Sequence, residues 1–244
     1  MFFVVCFTGV RQVDAEQPHI VFLIAEKEYQ TEKTLPDFCE QYVHHGRLSF
    51  VYADPNEPNK LIGSEAVDTA DLLFISVRRR TLPPQQLNRI RQHVQAGKPV
   101  IGIRTASHAF CLRNKEPEDG FAAWPEFDKM VFGGNYTNHY KNSLIATIQR
   151  VNSSSTSAGF LLSGIKELPI KSAGSLYCVS PLEEKADVML NGVVEGHDPE
   201  PVAWTFLRSD GGKSFYTSLG HVDDFRGPVL PHLLSNAIGW CLRE

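Results

Sequence analysis

Residues 99–110, Pro-Val-Ile-Gly-Ile-Arg-Thr-Ala-Ser-His-Ala-Phe, read as a buried strand running into a sharp turn and a helix. α/β enzymes use this arrangement to present a nucleophile at the apex of the turn. The apex residue here is Arg104, and a guanidinium, charged at every working pH, cannot attack an acyl carbon. Cys111 offers no substitute, because it lies about two helical turns past the apex. A second anchor stands far downstream, where residues 214–219 read as a strand and Gly220-His221-Val222-Asp223-Asp224 follows. Imidazole titrates near neutrality and a carboxylate can fix its tautomer, so His221 with Asp223 is a candidate acid–base pair. The competing reading of the same residues is a helix start capped by Asp223 and Asp224.

Other side chains could serve the same chemistry. His108 follows the apex closely and is either catalytic or a core histidine bonded to a backbone carbonyl. Arg104 and the run Arg78-Arg79-Arg80 could hold hydroxyl or carbonyl oxygens of a ligand; Arg104 could equally plug the old site through structural ion pairs. Trp124 and Tyr136 offer rings on which a ligand could stack, and His139 stands near Tyr136. No cofactor is called for. Zinc held by His108, His139 and His221 is a minor alternative, since those histidines are distant in sequence and lack a local ligand motif.

The elements that must position these residues alternate along the chain. Residues 19–25, 48–53, 71–77 and 99–103 are nearly continuous apolar runs, the pattern of strands buried on both faces of a parallel sheet. Leu35, Phe38, Cys39, Tyr42 and Val43 recur at helical spacing between the first two runs, with Gly46 as a stop. Pro83-Pro84 opens a second helix with Leu87, Ile90 and Val94 on one face, ended by Gly97. This alternation predicts a doubly wound, mostly parallel sheet flanked by helices, in which ligands bind beyond the C-terminal ends of strands. Arg78–Arg80 and Arg104 fall at those ends. Residues 111–142 form a long segment rich in Gly, Pro and aromatics, of the kind that is commonly functional. Strands at 143–151, 175–179, 188–194, 202–207 and 214–219 add antiparallel extensions. Leu230, Leu233, Leu234, Ala237, Ile238 and Cys241 mark a closing helix.

The chain has 244 residues, with 42% hydrophobic and 21% charged residues, which suits a globular α/β domain. A net charge of −4 argues against a general nucleic-acid binder. Residues 1–15 hold an apolar stretch and a small-residue site, Val13-Asp14-Ala15, and are read as a signal peptide or an unstructured leader. Export to the periplasm follows if the leader is cleaved, a cytoplasmic location otherwise. No later run is long enough to span a membrane. The five cysteines are dispersed, with no zinc-type spacing.

Taken together, Ser76-Val77-Arg78-Arg79-Arg80, Gly102 through Phe110, Gly133-Gly134-Asn135-Tyr136 with His139, Pro201-Val202-Ala203-Trp204 and Phe215 through His221 resemble the trehalose-utilization, or ThuA-like, family. The resemblance spans roughly residues 19 to 243 and implies one domain over 19–244 with a class I glutamine amidotransferase-like, flavodoxin-like fold. It also implies a small-molecule carbohydrate as partner. In the amidotransferase parent, Arg104 would stand where the nucleophilic cysteine belongs, and His221-Val222-Asp223 would match its His-x-Glu. The expectation is an enzyme of carbohydrate metabolism that acts on a sugar or keto-sugar by acid–base chemistry through His221, Asp223 and His108, without glutamine hydrolysis. The alternatives are a non-catalytic carbohydrate-binding accessory protein and a metal-dependent hydrolase.

Overall fold

A computed structural model describes residues 17–153 and 155–243. The 1–15 leader lies outside the described residues. The elements run β1 (His19–Ala25), α1 (Thr31–Tyr42), β2 (Arg47–Ala53), β3 (Leu61–Ile62), β4 (Leu72–Val77), α2 (Pro84–Gln95), β5 (Val100–Ile103), β6 (Asn138–His139), β7 (Thr147–Arg150), α3 (Thr156–Leu161), β8 (Ile170–Lys171), β9 (Tyr177–Cys178), β10 (Ala186–Val193), β11 (Glu200–Leu207), β12 (Lys213–Thr217) and α4 (Val229–Cys241).

One sheet has the order β3-β2-β1-β4-β5-β12-β11-β10-β7-β8. Strands β2, β1, β4, β5 and β12 are mutually parallel, while β3 and the run from β11 to β8 pair antiparallel. The continuous apolar runs are explained by two covered faces. Ile20, Phe22 and Ile24 of β1 point into the layer that holds Leu35 and Phe38 of α1 and Leu233 and Leu234 of α4. Val21, Leu23 and Ala25 point the other way, toward Leu87, Ile90 and Val94 of α2. The period-2 alternation of a strand thus divides one hydrophobic run between two cores. β12 returns to the middle of the sheet, with Thr217 beside Ile103 of β5. That pairing brings the two sequence anchors, Arg104 and Gly220-His221, to the same edge.

Three expectations need correction. No helix follows the apex: Arg104–His108 is a five-residue 3-10 turn. The carbonyls of His108, Ala109 and Phe110, which helix propagation would need, accept instead from the backbone N–H groups of Arg79, Arg80 and Trp124. Residues 175–179 do not extend the main sheet. Their strand core, β9, pairs with β6 in a separate two-stranded ribbon. The segment 111–142 is not all loop, since it contains β6 and a π-helical turn, Asp128–Phe132. Among the described residues no helix is long and apolar enough to cross a membrane.

His93 on α2 is buried, with Nε2 against the Pro99 carbonyl at 3.0 Å. Burial pushes its pKa down from 6.5 to about 4, so the folded state keeps it neutral while the unfolded chain protonates it below 6.5. Its contribution is therefore lost as pH falls from 6.5 toward 4, at up to about 1.4 kcal/mol per pH unit. Urea unfolding at pH 7.5, 6 and 5 is expected to show a steep loss of stability that His93→Gln makes shallower.

Candidate functional site

Beyond the C-terminal ends of the parallel strands lies a cavity of about 300 Å³. The loop after β1 supplies Glu28 and Tyr29, the loop after β4 supplies Arg78 and Arg79, the 3-10 turn after β5 supplies His108, residues 111–142 supply Arg113, Tyr136 and His139, and β9 supplies Tyr177. A second hollow of about 290 Å³ shares Arg79, His108, Arg113 and Tyr136 with the first and adds Ser107, Cys111 and Asp128. The two form adjoining lobes of one cleft, with His108 and Tyr136 common to both.

Backbone strain marks the strand ends that build it. Gln30, Arg79 and Arg104 hold φ of 57°, 47° and 41°, each in the link after a parallel strand. A non-glycine residue pays of order 1 kcal/mol to stay in this left-handed region, so the surrounding structure must enforce it. At the first link, the buried Glu26 carboxylate accepts the backbone N–H groups of Glu28, Tyr29 and Thr31 and the Thr31 hydroxyl, at 2.6–2.9 Å. These bonds fix where Tyr29 stands.

Arg104 occupies the apex but does not open into the cavity. It is 3% exposed, and its guanidinium donates to the carbonyls of Ser218 at 2.8 Å and Ser175 at 3.3 Å. Tyr216 Oη donates to the Arg104 carbonyl at 2.6 Å. The guanidinium carbon sits 4.5 Å from the Tyr29 ring centroid and 4.7 Å from that of Tyr177, a double cation–π contact. Two glycines make room for it. A Cβ at Gly174 would stand 2.6 Å from Arg104 Nη2, and one at Gly220 would stand 3.2 Å from Arg104 Cβ. Arg104 is thus the floor beneath two wall tyrosines, not a residue that reaches ligand directly.

His108 is 5% exposed and stacks on Tyr136, with centroids 4.4 Å apart at 28°. Its Nδ1 meets Ser107 Oγ at 3.2 Å, while Ser107 Oγ donates to the Arg104 carbonyl. Since that hydroxyl has one proton, Nδ1 carries the hydrogen of the first contact and Nε2 is a bare acceptor. Burial, then the charges of Arg79, Arg78, Arg113 and Arg104, push its pKa down to about 3. It is a neutral imidazole at working pH.

The Gly133-Gly134-Asn135-Tyr136 motif has a local cause. Gly133, at φ 64°, ends the π turn, and a Cβ on Gly134 would collide with the Asp128 carboxyl. Asp128 Oδ2 accepts the Tyr136 N–H at 2.8 Å, which sets the ring that stacks on His108. Asp128 Oδ1 is buried without a partner, and burial pushes the carboxyl up to about 7.

The remaining expected residues lie apart from His108, although His221 Nδ1 and the Asp223 carboxylate stay within 3.6 Å of each other. His221 caps the 3-10 turn Val222–Arg226: its Nδ1 accepts the Asp223 N–H at 3.2 Å, and Asp224 Oδ2 accepts the N–H groups of Gly220 and His221. The Asp223 carboxylate pairs with Arg226 through Oδ1, and the capping geometry, in which Nδ1 accepts the Asp223 N–H, is present. The His221 ring meets Tyr29 edge-on at 5.8 Å without lining the cavity. Trp124 lines neither lobe: it packs edge-on against Phe127 at 5.1 Å, with Arg91 over its ring, and borders a separate hollow. Arg80 turns to the Ala25 carbonyl and a neighbouring hollow. His108, His139 and His221 do not assemble: among the described residues no group of three or more His, Cys, Asp or Glu could hold a metal. Burial raises the Cys111 thiol, which disfavours the nucleophilic thiolate. Sequence reasoning passed over Tyr29, Arg113, Asp128 and Tyr177. Tyr29 was within reach of the rule that ligands sit past strand ends, whereas Arg113 and Asp128 lie in the irregular 111–142 segment and Tyr177 on the β6–β9 ribbon.

Residues 21–241 match the family model described as ThuA, trehalose utilisation. The chain belongs to the ThuA family. A ThuA-like protein from Bacteroides uniformis superposes with a TM-score of 0.64 at 15% identity, covering 96% of each chain. One from Parabacteroides merdae gives 0.60 at 13%, covering 93% of this chain and 90% of that one. PurLQS from Thermotoga maritima, with an amidotransferase-like fold, gives 0.54 at 13%, covering 92% and 99%. At these identities the structures establish the fold, and the family carries the link to carbohydrate utilisation. A search of the curated proteins finds no match.

Two outcomes follow from this geometry. Gly174→Ala is expected to cost about 1–3 kcal/mol by crowding the pinned guanidinium, and the cost should shrink in an Arg104→Ala background when unfolding of all four proteins is measured as a cycle. For Asp128 the acid is favoured on folding, so its contribution to stability is present below its ordinary 3.8 and is lost as pH rises to about 7. Asp128→Asn is therefore expected to be more stable than the parent at pH 8, by roughly 2–4 kcal/mol, and no more stable at pH 4; paired urea titrations at the two pH values measure the crossover.

Proposed function

We propose that this ThuA-family protein is an enzyme acting on a sugar or an oxidised sugar derivative, a 3-keto-glycoside being the chemical type, by proton transfer without a covalent nucleophile. The observation that carries this reading is the neutral His108 stacked on Tyr136 in a cleft also walled by Tyr29 and Tyr177. Aromatic faces suit the apolar face of a pyranose, and Arg78 and Arg79 are donors for a carbonyl oxygen. Oxidation acidifies the proton on the adjacent carbon, and donors aimed at the developing enolate oxygen stabilise it. Nε2 of His108 accepts a substrate hydroxyl and orients it. Asp128, held near neutrality in the adjoining lobe, is the group whose proton affinity suits transfer at working pH. His221 with Asp223, the pair singled out by spacing, would act only through Tyr29.

Incubation with a 3-keto-glycoside followed by product analysis by NMR tests the proposal. His108→Gln and Asp128→Asn are each expected to lower kcat/KM by about a hundredfold or more, within the usual range for acid–base groups. His221→Ala is expected to have a smaller effect. Loss of turnover in His221→Ala alone would transfer the proton step to His221. Saturable binding with no product after long incubation would replace the enzyme with a carbohydrate-binding accessory protein.

A further inference from the structure

We infer that the ligand of this cleft carries an oxyanion, so that the substrate class is a sugar acid or a sugar phosphate whose carboxylate or phosphate is held by Arg79 and Arg113. The inference rests on the proposed carbohydrate reading and narrows it. The wall of the first lobe is donor-rich. Arg78, Arg79 and Arg113 all line it, and a guanidinium has five donors and no acceptor. The one carboxylate among the lining residues, Glu28, already pairs with Arg78 at 2.8 Å. Among the described residues no ion pair engages Arg79 or Arg113, nor the buried Arg104 beneath.

A neutral sugar brings hydroxyls that must donate as well as accept, and beyond His108 Nε2 and the tyrosine hydroxyls the only carboxylate this lobe offers them is the already paired Glu28. An ionised carboxylate or phosphate accepts only, and guanidinium forks match its geometry. Arg79 is pre-set for that task. Its backbone is held at φ 47° by an N–H bond to the His108 carbonyl at 3.0 Å. Beneath two of the wall tyrosines the Arg104 guanidinium adds a further positive charge that, among the described residues, has no ion-pair partner. His108 registers the same field: after burial itself, the four arginines are what keep its ring neutral. The second lobe adds one carboxyl, Asp128, which burial holds toward its neutral form, and at its edge Lys129, which pairs with Glu183 at 3.3 Å.

Calorimetric titration of the full chain with glucuronate, glucose 6-phosphate, glucose and trehalose tests the inference. At least one anionic sugar is expected to bind about tenfold or more tightly than glucose, and added salt should weaken it selectively. Which of the two binds more tightly tells carboxylate from phosphate. Arg79→Gln and Arg113→Gln should each remove about tenfold of the anionic advantage, and Arg113→Gln should change glucose binding less than threefold. Arg113 is exposed, so its variant tests the point even if Arg79→Gln is poorly folded. Neutral sugars binding as tightly as the anionic ones, or an advantage untouched in both variants, overturns the oxyanion and leaves the carbohydrate proposal standing. Absence of binding by all four overturns both.

Discussion

The structure depends on one buried cation. Arg104 sits at the tip of β5, and its guanidinium joins parts of the chain that are distant in sequence: the Ser218 carbonyl after β12, the Ser175 carbonyl before β9, and the rings of Tyr29 and Tyr177. Removing a guanidinium from water is costly, and here backbone carbonyls and aromatic faces, not an ion pair, offset the cost. The arrangement tolerates little change. Gly174 and Gly220 are required by the side chain's bulk, and the Tyr216 hydroxyl holds its carbonyl. The turn at Arg104 is a tie between the sheet, the β6–β9 ribbon and the β1 loop.

That tie also shapes the cavity above it. Tyr29 and Tyr177 are at once partners of Arg104 and walls of the cleft, so the structural cation and the ligand surface share residues. The hydrogen-bond chain from His108 through Ser107 to the Arg104 carbonyl extends the coupling to the imidazole. From the other side, Asp128 sets Tyr136, and Tyr136 stacks on His108. Two buried ionisable groups on opposite flanks therefore hold one neutral histidine in place. A cleft supported this way is preorganised, because moving His108 would break contacts on both sides.

Much of the fold was legible because its signals are local or strictly periodic. The apolar runs of β1, β4 and β5, the amphipathic spacing of α1, α2 and α4, and the match over residues 21–241 all point to the doubly wound sheet. The site was legible only in outline. Spacing drew attention to Arg104, His108, Arg79, Tyr136 and His139, and these do gather at the strand ends. It also suggested Trp124, which is packed into the Phe110–Phe127 layer, and it could not choose between catalysis and capping for His221.

By itself the sequence determined the alternation of buried strands and amphipathic helices, which rests on periodicity, and it placed at the turn after β5 an arginine, a residue that cannot be a nucleophile. Only the tertiary structure decided which polar groups share a cavity. The helix expected after Arg104 fails because loop N–H groups at Arg79, Arg80 and Trp124 take its carbonyls, and Asp128 approaches the cleft because a glycine 6 positions later leaves space for its carboxyl. Those outcomes depend on hydrogen bonds and close approaches between segments far apart in the chain, or folded back on themselves, and no local pattern encodes which partner will be there.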